Sequence, residues 1–411
     1  MRYHVETYGC TMNRGEGFRL SVEMALLGHE PAYDASDADI VILNTCTVVE
    51  ATEKKMLGRM SELGASGKKV IVTGCMASVQ ADRVGIRLPD SPVVAPGQYG
   101  SFPAVAEAYC GRGDGAALPS RGTTAILPIA QGCSGRCTYC ITKLARGALE
   151  SYPAEGLARE FERVVSDGSK EILVTAQDAA GYGSDIGTDL PTLLRRFLET
   201  PGDYRIRTGM SNPDSVSACL PGLIDAMSDP RVYRFLHIPV QSGSDSVLSA
   251  MGRKYAAGDF LGLIKKIRER IPGVSIATDV IAGFPGETDE DHTMTLELIS
   301  ALGADTVNIT RFSARPGTAA YKMAGAVHGR VSKKRSAEIT ALKSEICLEK
   351  NERLVGHAFH ALVTETGKPG TVIARTDSYR PVAIAAGIPL GTFVDVEITG
   401  AEPTHLLGRV I

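Results

Sequence analysis

Apolar and polar positions change their period three times along the chain. Through residues 1–100 short apolar runs alternate with stretches of helical period: Tyr3–Gly9 then Glu16–Leu27, Ile40–Asn44 then Glu50–Leu63, Lys69–Thr73 then Ser78–Leu88. Such alternation predicts a doubly wound parallel sheet. The rhythm is lost over the Gly-, Pro-, Ser- and Arg-rich stretch 100–125, whose segment 111–125 reads as a linker. From Ile126 the strand–helix alternation resumes six times. The predicted strands are Ile126–Ala130, Glu171–Ala176, Arg205–Met210, Phe235–Val240, Ser275–Ile281 and Thr306–Phe312, with helical patterns such as Ala154–Val165, Leu190–Leu198, Phe260–Arg270 and Thr293–Leu302 between them. Six parallel units make a partial (β/α)6 barrel. Residues 328–353 then read as a helical connector. After Val355 come five short β-rich runs (Ala358–Thr364, Thr371–Ala374, Val382–Ala385, Thr392–Ile398, Leu406–Ile411), which predict a small OB-like β-barrel. The fold class is therefore α/β. Its expected units are 1–110, the linker 111–125, 126–350 and 351–411.

Composition narrows the class of protein. With 411 residues, 44% of them hydrophobic and 22% charged, the chain suits a multi-domain globular protein. No run approaches the roughly 18 apolar residues of a membrane span, and the N-terminus lacks an apolar signal core, so a reducing, cytoplasmic setting is expected. Nine cysteines then argue for metal and against disulfides. A net charge of −3 gives no global sign of a nucleic-acid partner. Any such partner must meet a local basic face. The connector carries seven basic residues (Arg330, Lys333, Lys334, Arg335, Lys343, Lys350, Arg353) against four acidic ones, whereas the C-terminal barrel carries four against five.

Two sets of cysteines carry the chemistry. The segment Gln131-Gly132-Cys133-Ser134-Gly135-Arg136-Cys137-Thr138-Tyr139-Cys140 places three thiols at C-x3-C-x2-C spacing in one Gly-bearing loop, and the next thiol is Cys219. A 4Fe–4S cluster normally takes four thiolates, so three would leave one iron open to a non-protein ligand. Zinc would ask for paired C-x2-C motifs or nearby histidines, and the next histidine is His237. Cys10, Cys46 and Cys75 each stand just past the end of a predicted strand, where open α/β sheets bind their ligands. Together they predict a second three-thiolate cluster. Cys110, at the edge of the linker, reads as a lone thiol without a functional role, and Cys219 and Cys347, in helical patterns, read as buried thiols.

The C-x3-C-x2-C loop with an aromatic before its third Cys resembles the radical S-adenosylmethionine superfamily, in which the open iron chelates the methionine end of the cofactor and reductive cleavage gives a 5′-deoxyadenosyl radical. The whole arrangement, from the three-Cys sheet through the partial barrel to the small C-terminal barrel, resembles the methylthiotransferases, with their TRAM domain at the C-terminus. Cys140-Ile141-Thr142-Lys143-Leu144-Ala145-Arg146-Gly147, Ser151-Tyr152-Pro153, Leu236-His237-Ile238-Pro239-Val240-Gln241-Ser242-Gly243-Ser244 and Gly283-Phe284-Pro285-Gly286-Glu287-Thr288 are similar to the archaeal and eukaryotic tRNA-modifying branch. Gln177–Gly183 departs from that branch's usual form. The resemblance implies a transferase that inserts a methylthio group at C2 of N6-threonylcarbamoyladenosine beside the anticodon. It also implies two 4Fe–4S clusters, S-adenosylmethionine as both methyl donor and radical source, and an electron donor of flavodoxin or ferredoxin type. The six cysteines would hold the clusters, and Tyr139, Gln177, Gln241, Ser242, Gly283, Phe284 and Arg253 would contact the cofactor. tRNA is expected to meet Lys333, Lys334 and Arg335 on the connector, or Lys143 and Arg146 at the barrel rim. Methylthiolation of a ribosomal-protein aspartate, and a non-catalytic iron–sulfur protein that binds RNA, are the alternatives.

Overall fold

The computed structural model describes residues 1–411. The N-terminal sheet has five parallel strands in the order Glu30–Pro31, Arg2–Thr7, Ile40–Thr45, Lys69–Gly74 and Val93–Val94. Its centre, Ile40–Thr45, is wholly buried. Alternation along the strand sends Ile40 and Ile42 into a core with Leu20, Met24 and Phe102, and Val41 and Leu43 into another with Met56, Met60 and Val84. Burial on both faces explains why these strands read as unbroken apolar runs. The helix expected over Ser78–Leu88 is instead two, Cys75–Val79 and Ala81–Arg87, broken at Gln80, whose φ of −142° is not helical.

All six barrel strands form, in two halves: Thr124–Pro128, Glu171–Thr175 and Arg205–Thr208, then Phe235–His237, Ser275–Ala282 and Thr306–Arg311. A bridge between Ile206 and Val232 joins them. The fourth strand stops short of its expected end because Pro239 cannot donate to the ladder. Leu127, Ile172, Val174, Ile206, Leu236, Ile276 and Val280 bury outward against the helices in one large core. The alternate positions face the interior and include a polar set. There His237 Nε2 lies 2.7 Å from Asp279 Oδ1, to which Asn308 Nδ2 also donates at 2.8 Å.

The connector is the helix Gly329–Glu352, and the last five strands close into a barrel. That barrel sits under the strand starts, on the opposite end from the loops that carry the cysteines. Arg234 N donates to Asp377 O at 2.8 Å just before Phe235 opens its strand. Tyr379, held at φ 64°, puts its ring 4.9 Å from that of Tyr233 and 5.0 Å from that of Phe235. Arg207 and Arg375 stack over the same Tyr379 ring at 5.6 and 4.6 Å. A non-glycine residue in the left-handed region is held there only by its surroundings. Tyr379→Ala is therefore expected to destabilise the chain by about 3 kcal/mol, the low end for loss of a large aromatic, in equilibrium denaturation. An unchanged midpoint would show that the ring does not dock the two barrels.

Candidate active site

The loop Gly132–Cys140 lies where the first barrel strand ends. Gly132, at φ 71°, sits so close to the following turn that a Cβ would fall 1.8 Å from Ala148 O. Gly135 lies between two thiols, since a Cβ there would be 3.2 Å from Cys133 Sγ and 3.9 Å from Cys137 Sγ. A side chain at Gly135 would crowd the Cys133 thiol over this turn. Gly135 N donates to Cys133 Sγ at 3.2 Å. Burial pushes the Cys133 and Cys140 thiols up, and their neighbouring thiols add to it.

The other strand ends build a cup around this loop. Tyr139 lies edge-on to Phe284, ring centres 6.3 Å apart, and its hydroxyl accepts from Arg253 Nη2 at 2.7 Å. Arg253 Nη1 donates to Asn212 Oδ1 at 2.7 Å, and Asn212 Nδ2 donates to Asp178 Oδ2 at 2.8 Å. Arg253 Nε and Gln177 Oε1 are buried without partners. Gly283 and Phe284 both donate through their amides to Glu287 Oε2, at 2.5 and 2.9 Å. Arg335 in turn grips Glu287 and Asp289. Gln241 turns at φ 76° at its strand end. The Ser242 hydroxyl accepts from Ser244 N, and the Phe284 ring is fully buried in the wall of the cup.

The three N-terminal thiols converge. Gly9, at φ 106°, faces Cys46 so closely that a Cβ would lie 2.8 Å from Cys46 Cβ and 2.9 Å from its Sγ. Asn13 Nδ2 donates to Tyr8 O and Thr45 O, tying the Cys10 and Cys46 loops. Thr45 Oγ1 donates to Thr73 O at 2.5 Å and accepts from Met76 N at 3.2 Å, tying Cys46 to Cys75. Burial pushes the Cys75 thiol up to about 11, Cys10 and Cys46 add to the rise, and Arg146 opposes it. No three His, Cys, Asp or Glu side chains are arranged around a single ion. Two sets of three clustered thiols, each on glycine-pinned loops and with orphaned buried guanidinium or amide atoms beside them, suit a multi-iron cluster.

Two arginines from the barrel domain close this second site. Arg146 donates to Glu16 Oε1 and Oε2 at 2.5 and 2.7 Å and to Asn13 Oδ1 at 2.7 Å. Arg315 donates to Glu53 Oε2 at 2.6 Å and to Val48 O at 3.2 Å, leaving Nη2 buried without a partner. Sequence gave no sign of either contact, because the partners lie 130 and 262 positions apart. It also misplaced three cations expected to meet RNA: Arg146 and Arg335 are buried in ion pairs, and Lys143 Nζ donates to Cys133 O. Cys110 and Cys347 are buried, and Cys219 packs against the barrel core.

Residues 2–94 match a family model described as Uncharacterized protein family UPF0004, 127–299 the Radical SAM superfamily, and 352–411 the TRAM domain. A probable threonylcarbamoyladenosine tRNA methylthiotransferase of Pyrococcus abyssi is 38% identical over 426 residues, covering 100% of both chains. The chain belongs to this methylthiotransferase family. The Danio rerio threonylcarbamoyladenosine tRNA methylthiotransferase is 34% identical over 98% of this chain and 77% of its own. Among solved structures, the radical S-adenosylmethionine methyltransferase TsrM from Kitasatospora setae has a TM-score of 0.58 at 15% identity, covering 90% of this chain and 80% of that one, a likeness of fold.

For this family member, Gly9→Ala is expected to displace Cys46, because the added methyl meets both its Cβ and its Sγ. Iron after anaerobic reconstitution should fall from about eight to about four per chain. Gly58→Ala, on a helix with open space around it, should leave iron unchanged. Full iron in Gly9→Ala would contradict the convergence of the three thiols.

Proposed function

We propose that the chain inserts a methylthio group at C2 of N6-threonylcarbamoyladenosine in tRNA, with S-adenosylmethionine serving as methyl donor and as radical source. The observation that carries this reading is the pair of three-thiol sites brought together from two domains, in a chain aligned end to end with curated enzymes of that name. Cys133, Cys137 and Cys140 would hold one 4Fe–4S cluster and Cys10, Cys46 and Cys75 the other. Bound there with S-adenosylmethionine, the clusters supply the one-electron chemistry and the sulfur that an unactivated adenine C–H bond demands.

The chain's own residues arrange the rest. Tyr139, Phe284 and Phe312 wall one side of the cup with rings packed edge to face, an apolar surface that would keep water from it. Burial pushes the Tyr139 hydroxyl up, so it stays protonated and keeps its bond from Arg253. Arg253 Nε and Gln177 Oε1, buried and free, are the polar atoms left to meet the cofactor. Gln241 and Gly283 present backbone at the strand ends where the adenine end would lie, while Ser242 and Phe284 hold that wall in shape. Below them His237, Asp279 and Asn308 form a polar layer inside the barrel that suits a base inserted from above.

The division into a cluster domain (1–110), linker (111–125), radical core (126–350) and TRAM domain (351–411) follows from this reading. For tRNA, Lys333 and Lys334 on the connector remain exposed. On the C-terminal barrel Arg375 and Arg380 are engaged in docking or ion pairs and the exposed Arg409 is paired with Glu397, which leaves Lys368 facing outward. An electron donor of flavodoxin or ferredoxin type would supply the reducing equivalents. No helix is long and apolar enough to cross a membrane, and a cytoplasmic setting beside its tRNA substrate is part of this proposal.

Replacing Cys10, Cys46 and Cys75 together by Ala should leave 5′-deoxyadenosine formation in place while abolishing methylthiolated nucleoside, because the barrel loop lies in a separate domain. Replacing Cys133, Cys137 and Cys140 should abolish both. Methylthio product from the N-terminal triple variant would contradict the assigned division of labour.

A further inference from the structure

The helix Ile141–Arg146 has Cys140 as its N-cap and Arg146 as its last residue. Six residues at about 1.5 Å rise cover about 9 Å of axis, so this short rod starts at one cysteine site and ends at the other. At its far end the guanidinium is fully enclosed, its side chain 0% exposed and that of Glu16 2%. It forks onto both Glu16 oxygens and bonds Asn13 Oδ1, and its charge opposes the upward push of burial on the Cys75 thiol. Asn13 is the side chain that ties the Cys10 and Cys46 loops together. Arg146 Nε remains buried with no partner. The Cys46 and Cys75 thiols therefore lie in the field of one charge delivered from the barrel domain, six residues after the last thiol of the other site, and Asn13 links that charge to the Cys10 loop.

We infer that Arg146 is a positioning residue that sets the reduction potential of the cluster held by Cys10, Cys46 and Cys75, with Glu16 as its counterweight. The inference rests on the two-cluster reading above. Hydrogen bonds to ligating sulfurs and local net charge are the levers by which a protein tunes such a cluster. A buried cation favours the more negative, reduced state and raises the potential. A buried carboxylate in the same place lowers it, and the low local dielectric makes both effects large. Because Arg146 and Glu16 form one pair, removing either exposes the cluster to the charge of the other.

The test is an EPR-monitored redox titration of the anaerobically reconstituted full chain. Arg146→Gln should lower the midpoint potential of the N-terminal cluster, because Glu16 is left unbalanced. Glu16→Gln should raise it. The double variant, which keeps the pair neutral, should fall between the two, and the Cys133/Cys137/Cys140 cluster should move less in every case. A purely structural pair would shift both single variants in the same direction, and that result, or no shift in either, overturns the inference while leaving the two-cluster reading intact. If one single variant does not fold, the sign of the other relative to wild type and to the double variant decides the question. About four iron and a single EPR signal in the wild-type chain would overturn both the reading and the inference.

Discussion

The buried contact between Arg146 and Glu16 is the constraint on which the site depends. It joins the barrel domain to the first helix of the N-terminal sheet at a point that solvent does not reach. Such a pair contributes little net stability, since the desolvation of two charges offsets their attraction, but breaking it by removing one partner typically costs about 3–5 kcal/mol. Its effect is therefore to forbid other arrangements. The domains cannot part or slide here without leaving a charge unpaired, and the Arg315–Glu53 pair repeats the same logic on the Cys46 side. Two cysteine sites that lie in different folds thereby become one centre.

The same economy of means shapes the cup above the barrel. The strand-end loop that carries Gly283 and Phe284 is fixed by Glu287, and Glu287 is fixed by Arg335 from the connector helix. At the other end of the barrel the C-terminal domain closes the strand starts with Tyr379 and two stacked arginines. The reacting cup and the small β-barrel thus occupy opposite ends of the core, so a tRNA that touches both must run along the side of the barrel.

What could be read from the sequence was whatever depends on local order. The six cysteines proposed as cluster ligands stood out because three share one loop and three follow buried strands, and both rules concern neighbours in the chain. Strand number and order in the barrel were legible for the same reason. The contacts that unite the sites were not, because Glu16 and Arg146, or Glu53 and Arg315, become neighbours only when domains dock. Arg146 and Arg335 were misread as surface cations on the same ground. A basic residue in a polar helical stretch looks solvated until the partner that buries it is known. The role of Asp178 and Asn212 as the support for Arg253 likewise required the fold.

The central claim is that the two cysteine sites form one centre at a fixed short separation. It is tested most directly by EPR of the full chain with both clusters reduced. With both clusters reduced, a spectrum broadened by spin–spin interaction is expected, and it should give way to the single unbroadened signal of the remaining cluster when Cys10, Cys46 and Cys75 are replaced. A doubly reduced spectrum that is the plain sum of two independent signals would contradict it.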